Sequence, residues 1–143
     1  QLDAANLARA FALNAIGPAL IMKHVLPRLP RSGKAVFATL SARVGSIEDN
    51  RLGGWYSYRT SKAALNQLVR TAAVELTRRS PDALCIALHP GTVATALSAP
   101  FAAAGLEVHS PAAAARNLLT VVDQLTADAN GRFFDWRGQP VPW

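Results

Sequence analysis

Tyr58 and Lys62 stand four residues apart in a stretch with helical periodicity, so one helix face carries both. A free phenol has a pKa of about 10 and is a poor base at neutral pH. An ammonium close by favours the phenolate and lowers that value. Such a pair can give a proton to a ketone oxygen or take one from an alcohol. Tyr56 serves as a control, because its i+4 residue is Thr60, which brings no charge. Taken alone, the pair also suits a solvated helix face. Its setting, after an apolar strand and a Gly-rich loop, favours chemistry.

The elements that must hold this pair follow from apolar spacing and breakers. Residues from about Asp3 to Leu29 form a helix-rich stretch with Asp3 as a candidate N-cap. Gly17-Pro18 should kink or divide it. Lys34–Leu40 is a short strand, and Ser41–Trp55 a loop with Gly45, Gly53 and Gly54. A long helix runs from about Tyr56 to Arg79, with Leu65, Leu68, Val69, Ala72 and Leu76 as its buried stripe. Ala83–Leu88 is apolar throughout, as a strand covered on both faces would be.

Thr92–Glu107 is expected to be irregular. Ser110-Pro111 caps a third helix that reaches about Leu125, and Arg132–Asp135 is a last strand. The order helix-strand-helix-strand-helix-strand implies an α/β fold with a parallel sheet wrapped on both faces. Ligands in such sheets bind beyond the carboxyl ends of the strands. That rule singles out Leu40-Ser41-Ala42 and His89-Pro90-Gly91.

Composition narrows the classes. Half the residues are apolar and 17% are charged, which is globular rather than disordered. No uninterrupted apolar run approaches the ~20 residues of a membrane span, and no signal-peptide pattern opens the chain. The expectation is therefore a cytoplasmic protein without a membrane partner. Cys85 is the one cysteine, lies in an apolar run, and is expected to be buried and inert. The net charge of +6 is spread from Arg9 to Arg137 rather than clustered, so no nucleic-acid partner is expected. His24, His89 and His109 have no metal-ligand spacing, and no metal is expected. His89 is expected to make a local hydrogen bond, and Trp55, Trp136 and Trp143 to pack or to contact another subunit. None of the nine glycines forms a Gly-x-Gly pair, so the dinucleotide fingerprint does not occur in these residues.

Three strings carry a resemblance. Gly53-Gly54-Trp55-Tyr56-Ser57-Tyr58-Arg59-Thr60-Ser61-Lys62-Ala63-Ala64-Leu65-Asn66 resembles the active-site helix of the short-chain dehydrogenases/reductases. His89-Pro90-Gly91-Thr92-Val93-Ala94-Thr95 resembles that family's Pro-Gly-x-Val-x-Thr segment. Phe11-Ala12-Leu13-Asn14-Ala15-Ile16-Gly17 resembles its helix with the catalytic asparagine. Ser41 to Ile47 and the ending Phe133-Phe134-Asp135-Trp136 are similar to the branch of bacterial C-factor-like carbonyl reductases.

The resemblance implies an NAD(P)-dependent oxidoreductase moving hydride between nicotinamide and a carbonyl or secondary alcohol, with NAD and NADP both open. Tyr58 would be the general acid/base. Lys62 would lower its pKa and hold the nicotinamide ribose. Asn14 would bind a water that relays protons to Lys62. Pro90-Gly91 would pass close to the ring, with Val93 and Thr95 on the carboxamide. Residues 1–143 would be the catalytic half of one Rossmann-like, doubly wound domain, with the dinucleotide-binding half outside this chain. A homodimer or homotetramer and a small carbonyl or alcohol substrate are the implied partners, and Leu97 to Phe101 matches the substrate lid.

The family usually has Ser-Ser-x-x-Gly, and Ala42 occupies the second serine position here. Ser41 and Ser46 are the substitutes, with Ser41 favoured. Adjacent strand residues face opposite ways, so Ser41 serves only if the strand ends or bulges there. Because losing one donor to a developing oxyanion costs roughly 10²-fold or more, a catalytically weak or non-enzymatic signalling or scaffold protein is the alternative.

Overall fold

The computed structural model describes residues 2–96, 98 and 107–143. The chain opens with α1 (Ala4–Phe11), a π-helical turn (Ala12–Ile16) and α2 (Gly17–Val25). Asp3 is the N-cap, its carboxylate accepting from the Asn6 amide at 2.9 Å. The expected irregularity is this π turn. Pro18 has no amide proton for the carbonyl of Asn14 four residues back, so the ordinary α-helical ladder is interrupted there. A short 3-10 turn (Leu26–Arg28) ends the stretch before Pro30.

β1 (Ala35–Leu40), α3 (Tyr56–Thr77) and β2 (Ala83–His89) follow, then α4 (Pro111–Gln124) and β5 (Phe133–Asp135). The sheet is parallel with order β1-β2-β5, as the helix-strand alternation implies. Two short strands within the stretch expected to be irregular, β3 (Thr92–Val93) and β4 (Val108–His109), pair parallel with each other. Sequence periodicity cannot register two-residue strands. Ser110 caps α4 as expected, accepting from the Ala113 amide at 3.2 Å.

Strand alternation divides the core in two. Ala83, Cys85 and Ala87 of β2 pack with Leu65, Val69, Ala73 and Leu76 of α3. Leu84, Ile86 and Leu88 pack with Val121 on the α4 side. Each fully buried Leu, Ile or Val contributes about 1.5–3 kcal/mol of transfer free energy. Cys85 is buried, and burial pushes its thiol up to about 12, so it stays protonated. Asn130 joins these layers: its side chain accepts from the Cys85 amide and donates to the Ala73 carbonyl and the Thr77 hydroxyl.

The composite helix Ala4–Arg28 is long and apolar enough to cross a membrane by length and composition, with 11% of its apolar window buried. Arg9 and Asn14 interrupt its apolar runs, while its mean hydropathy stays at 1.2. Within the fold this helix packs Ala15 and Met22 inward and bonds to α3 through Asn14.

Candidate active site

The beginning of α3 is fixed by an unusual backbone. Gly53 and Gly54 have φ of 64° and 71°, and Trp55, the helix N-cap, has φ 46°. Trp55 is the one non-glycine residue with positive φ among the described residues. Such a conformation costs of order 1 kcal/mol or more and persists where neighbours enforce it. Arg59 is that neighbour. Its Nε donates to the Gly53 and Gly54 carbonyls at 3.1 and 3.0 Å, and its guanidinium stands 5.7 Å from the Trp55 ring centre.

Tyr58 and Lys62 lie in the first two turns of α3, both half-buried. The Lys62 Nζ donates to the Leu40 carbonyl at 2.9 Å, which draws the ammonium to the carboxyl end of β1. It stands 5.9 Å from the Tyr58 ring centre. Burial raises the Tyr58 pKa above its ordinary value and lowers that of Lys62. The direction is opposite to the expected lowering of the phenol by the ammonium, because desolvation dominates. A phenol held protonated is suited to donating a proton, which is the reductive direction.

Asn14 is in the π turn, as a functional irregularity would place it. Its Nδ2 donates to the Ser61 hydroxyl at 3.1 Å, and that hydroxyl donates to the Tyr58 carbonyl at 2.9 Å. Asn14 is thus joined to the Tyr58 carbonyl through Ser61, a buried serine that sequence spacing gave no reason to select.

Ser41 lies just beyond the β1 ladder, and its amide still donates to Leu88 at 2.8 Å. The pleat therefore continues, and the side chain falls on the α3 side. There it is buried, donating to Asn66 Oδ1 at 2.6 Å. Donation to a substrate oxygen requires Ser41 to leave Asn66. Ser46 is also buried, with its hydroxyl donating to the Trp143 carbonyl at 3.2 Å and accepting from the Asp49 amide at 3.0 Å. Ala42 is extended and buried.

Asn66 is a site-supporting residue that sequence reasoning passed over. Its Nδ2 donates to the Gly45 carbonyl at 3.2 Å. Gly45 is obligatory for packing: a Cβ there would lie 2.7 Å from the Lys62 Cβ and 2.9 Å from its carbonyl carbon. A buried polar residue beside the apolar stripe of α3 was the available signal for Asn66.

At the end of β2, Gly91 has φ 77°, and a Cβ would come within 2.9 Å of Trp136 and 3.0 Å of His109. Those rings meet edge to face at 4.3 Å, so Trp136 packs as expected. Val93 is in β3. Its carbonyl accepts from the Ser98 hydroxyl, which also accepts from the Thr95 amide at 3.1 Å. Of the expected lid, Leu97 and Ala99 to Phe101 lie outside the described residues.

His89 makes no hydrogen bond through Nδ1, contrary to expectation. Its register partner is Asp135, whose carboxylate is already engaged by Arg43 and by two backbone amides. His109 Nε2 is likewise buried and unbonded. Lys62 thus reaches the carboxyl end of β1, while the left-handed Gly91 and the buried, unbonded His89 Nδ1 lie at the carboxyl end of β2.

Residues 1–125 match the family described as enoyl-(acyl carrier protein) reductase. The chain is 39% identical to the C-signal of Myxococcus xanthus over its whole length, covering 82% of that protein. It is 36% identical to the 1-hydroxy-2-glutathionyl-2-methyl-3-butene dehydrogenase of Rhodococcus sp. (strain AD45), covering 61% of it. Among solved structures, the carbonyl reductase Sniffer of D. melanogaster superposes with a TM-score of 0.85 at 27% identity. The NADPH-bound carbonyl reductase from chicken fatty liver does so at 0.83 and 29%. In each case 99% of this chain is matched to 59% of the reductase.

Proposed function

The chain belongs to the short-chain dehydrogenase/reductase family, and on that premise we propose that it is the catalytic half of an NAD(P)-dependent oxidoreductase acting on a carbonyl or secondary alcohol. The observation that carries this is the half-buried Tyr58–Lys62 pair, with the Lys62 ammonium drawn to the carboxyl end of β1. The chemistry that NAD(P)H would supply when bound is hydride for the carbonyl carbon. The Tyr58 phenol donates its proton to the carbonyl oxygen, and the alcohol leaves. Lys62 and Tyr58 would hold the ribose and Pro90, Gly91, Val93 and Thr95 would border the nicotinamide, while Asn14 orients the start of α3 through Ser61. The chicken enzyme is an NADPH-bound carbonyl reductase, which favours NADP over NAD here. Positioned acid catalysis of this kind supplies roughly 10²–10⁴-fold in rate.

The test is NADPH and NADH oxidation with a panel of aldehydes and ketones, using protein that includes the dinucleotide-binding half. Turnover with at least one simple carbonyl is the expected result. No turnover across the panel, with dinucleotide still bound, would remove the reductase assignment. It would favour a second reading, a signalling or scaffold protein derived from this fold. The observation behind that reading is specific: Ala42 has no hydroxyl, and those of Ser41 and Ser46 are both engaged in the core.

A further inference from the structure

The segment after β5 takes no part in the proton transfer proposed above, yet it is fastened to the loop after β1 at three points. Arg43 Nη2 lies 3.5 Å from Asp135 Oδ2. The Glu48 amide donates to the Trp143 carbonyl at 2.9 Å, and the Ser46 hydroxyl donates to the same carbonyl at 3.2 Å. Both anchors are themselves fixed. Asp135 Oδ1 accepts from the Arg137 and Gln139 amides at 2.9 and 3.0 Å. The Trp143 ring stacks on Phe133 at 5.8 Å, and the Val141 amide donates to the Phe133 carbonyl at 2.8 Å.

On its other side the same loop meets α3 at the root of Lys62. Asn66 holds the Gly45 carbonyl, and Gly45 fits against Lys62 with no room for a methyl group. The loop is therefore held from both sides, and any shift at its Asp135 and Trp143 contacts is passed to Lys62 through Gly45. Close packing transmits such shifts because there is no slack to absorb them.

We propose that the segment from Asp135 to Trp143 is a positioning element of the active site, setting the 43–49 loop and through Gly45 the seat of Lys62. Its catalytic consequence rests on the reductase assignment. Its structural consequence does not.

The test uses Asp135→Asn and Ser46→Ala in the full-length protein, with Arg43→Lys as the conservative variant. Asn at position 135 keeps an acceptor for Arg137 and Gln139 but loses the charge that faces Arg43. In folded Asp135→Asn and Ser46→Ala, kcat should fall about fivefold with KM for the carbonyl within about twofold, since the carbonyl-binding residues are untouched. Arg43→Lys should keep most of the activity. Lys62 should also react about threefold faster with a small amine reagent, read by peptide mass, because a loosened seat admits solvent. If Asp135→Asn does not fold, Ser46→Ala decides. Unchanged kcat and unchanged Lys62 labelling in a folded variant would overturn the proposal. If the unaltered protein reduces no carbonyl, the reductase assignment falls, and Lys62 labelling alone decides the positioning role.

Discussion

At the scale of single residues, desolvation decides most of the site's chemistry. Tyr58, Lys62 and His89 are each shifted toward their neutral forms, and burial is the leading cause in all three. His89 is brought down to about 4 by burial, with Arg43 adding to the shift and Asp135 opposing it. The unfolded imidazole keeps its ordinary 6.5. Between those values the unfolded chain binds a proton that the folded chain does not. The stabilising contribution is therefore complete above pH 6.5 and is lost as pH falls toward 4. At pH 5 the loss is on the order of 2 kcal/mol for a group this buried. Urea denaturation at pH 7 and pH 5 checks this. The unaltered protein should lose about 2 kcal/mol more than His89→Gln between the two. Equal losses would mean that His89 is not held neutral.

At the scale of elements, the end of the π turn and α2 together present an apolar face outward. Ile16, Leu20 and Ile21 are each more than half exposed, and Ile16 and Leu20 border a shallow apolar depression completed by Ala64 and Leu68 of α3. Interfaces form on exposed apolar area of this kind, and we propose that a second copy of the chain covers it, as the family resemblance implies. Light scattering on Leu20→Glu should give a lower assembly mass than the unaltered protein with little change in melting temperature. An unchanged mass would place the interface elsewhere.

The elements themselves were largely legible in the sequence. Leu65, Val69 and Leu76 announced α3, Ser110-Pro111 announced α4, and the unbroken apolar run at 83–88 announced a doubly covered strand. What spacing could not supply was the direction of a hydroxyl. Ser41 follows the pleat onto the α3 side and meets Asn66, a contact 25 residues away in sequence. The polarity of the Tyr58 shift was misjudged for a related reason. Helical spacing gives the proximity of Lys62 but neither the burial that raises the phenol's pKa nor the Leu40 carbonyl that accepts the ammonium's hydrogen bond.

At the scale of the whole molecule, three parallel strands bring their carboxyl ends into one row, and the candidate chemistry is confined to that edge. The chain spans 59% of the reductase chains it superposes on. The most direct measurement is the single-turnover rate of carbonyl reduction by Tyr58→Phe against the unaltered protein, with dinucleotide affinity measured in parallel. Removing the phenolic proton should slow reduction by about 10²-fold or more while leaving dinucleotide affinity within a few-fold. Equal single-turnover rates in the two proteins would contradict proton donation by Tyr58.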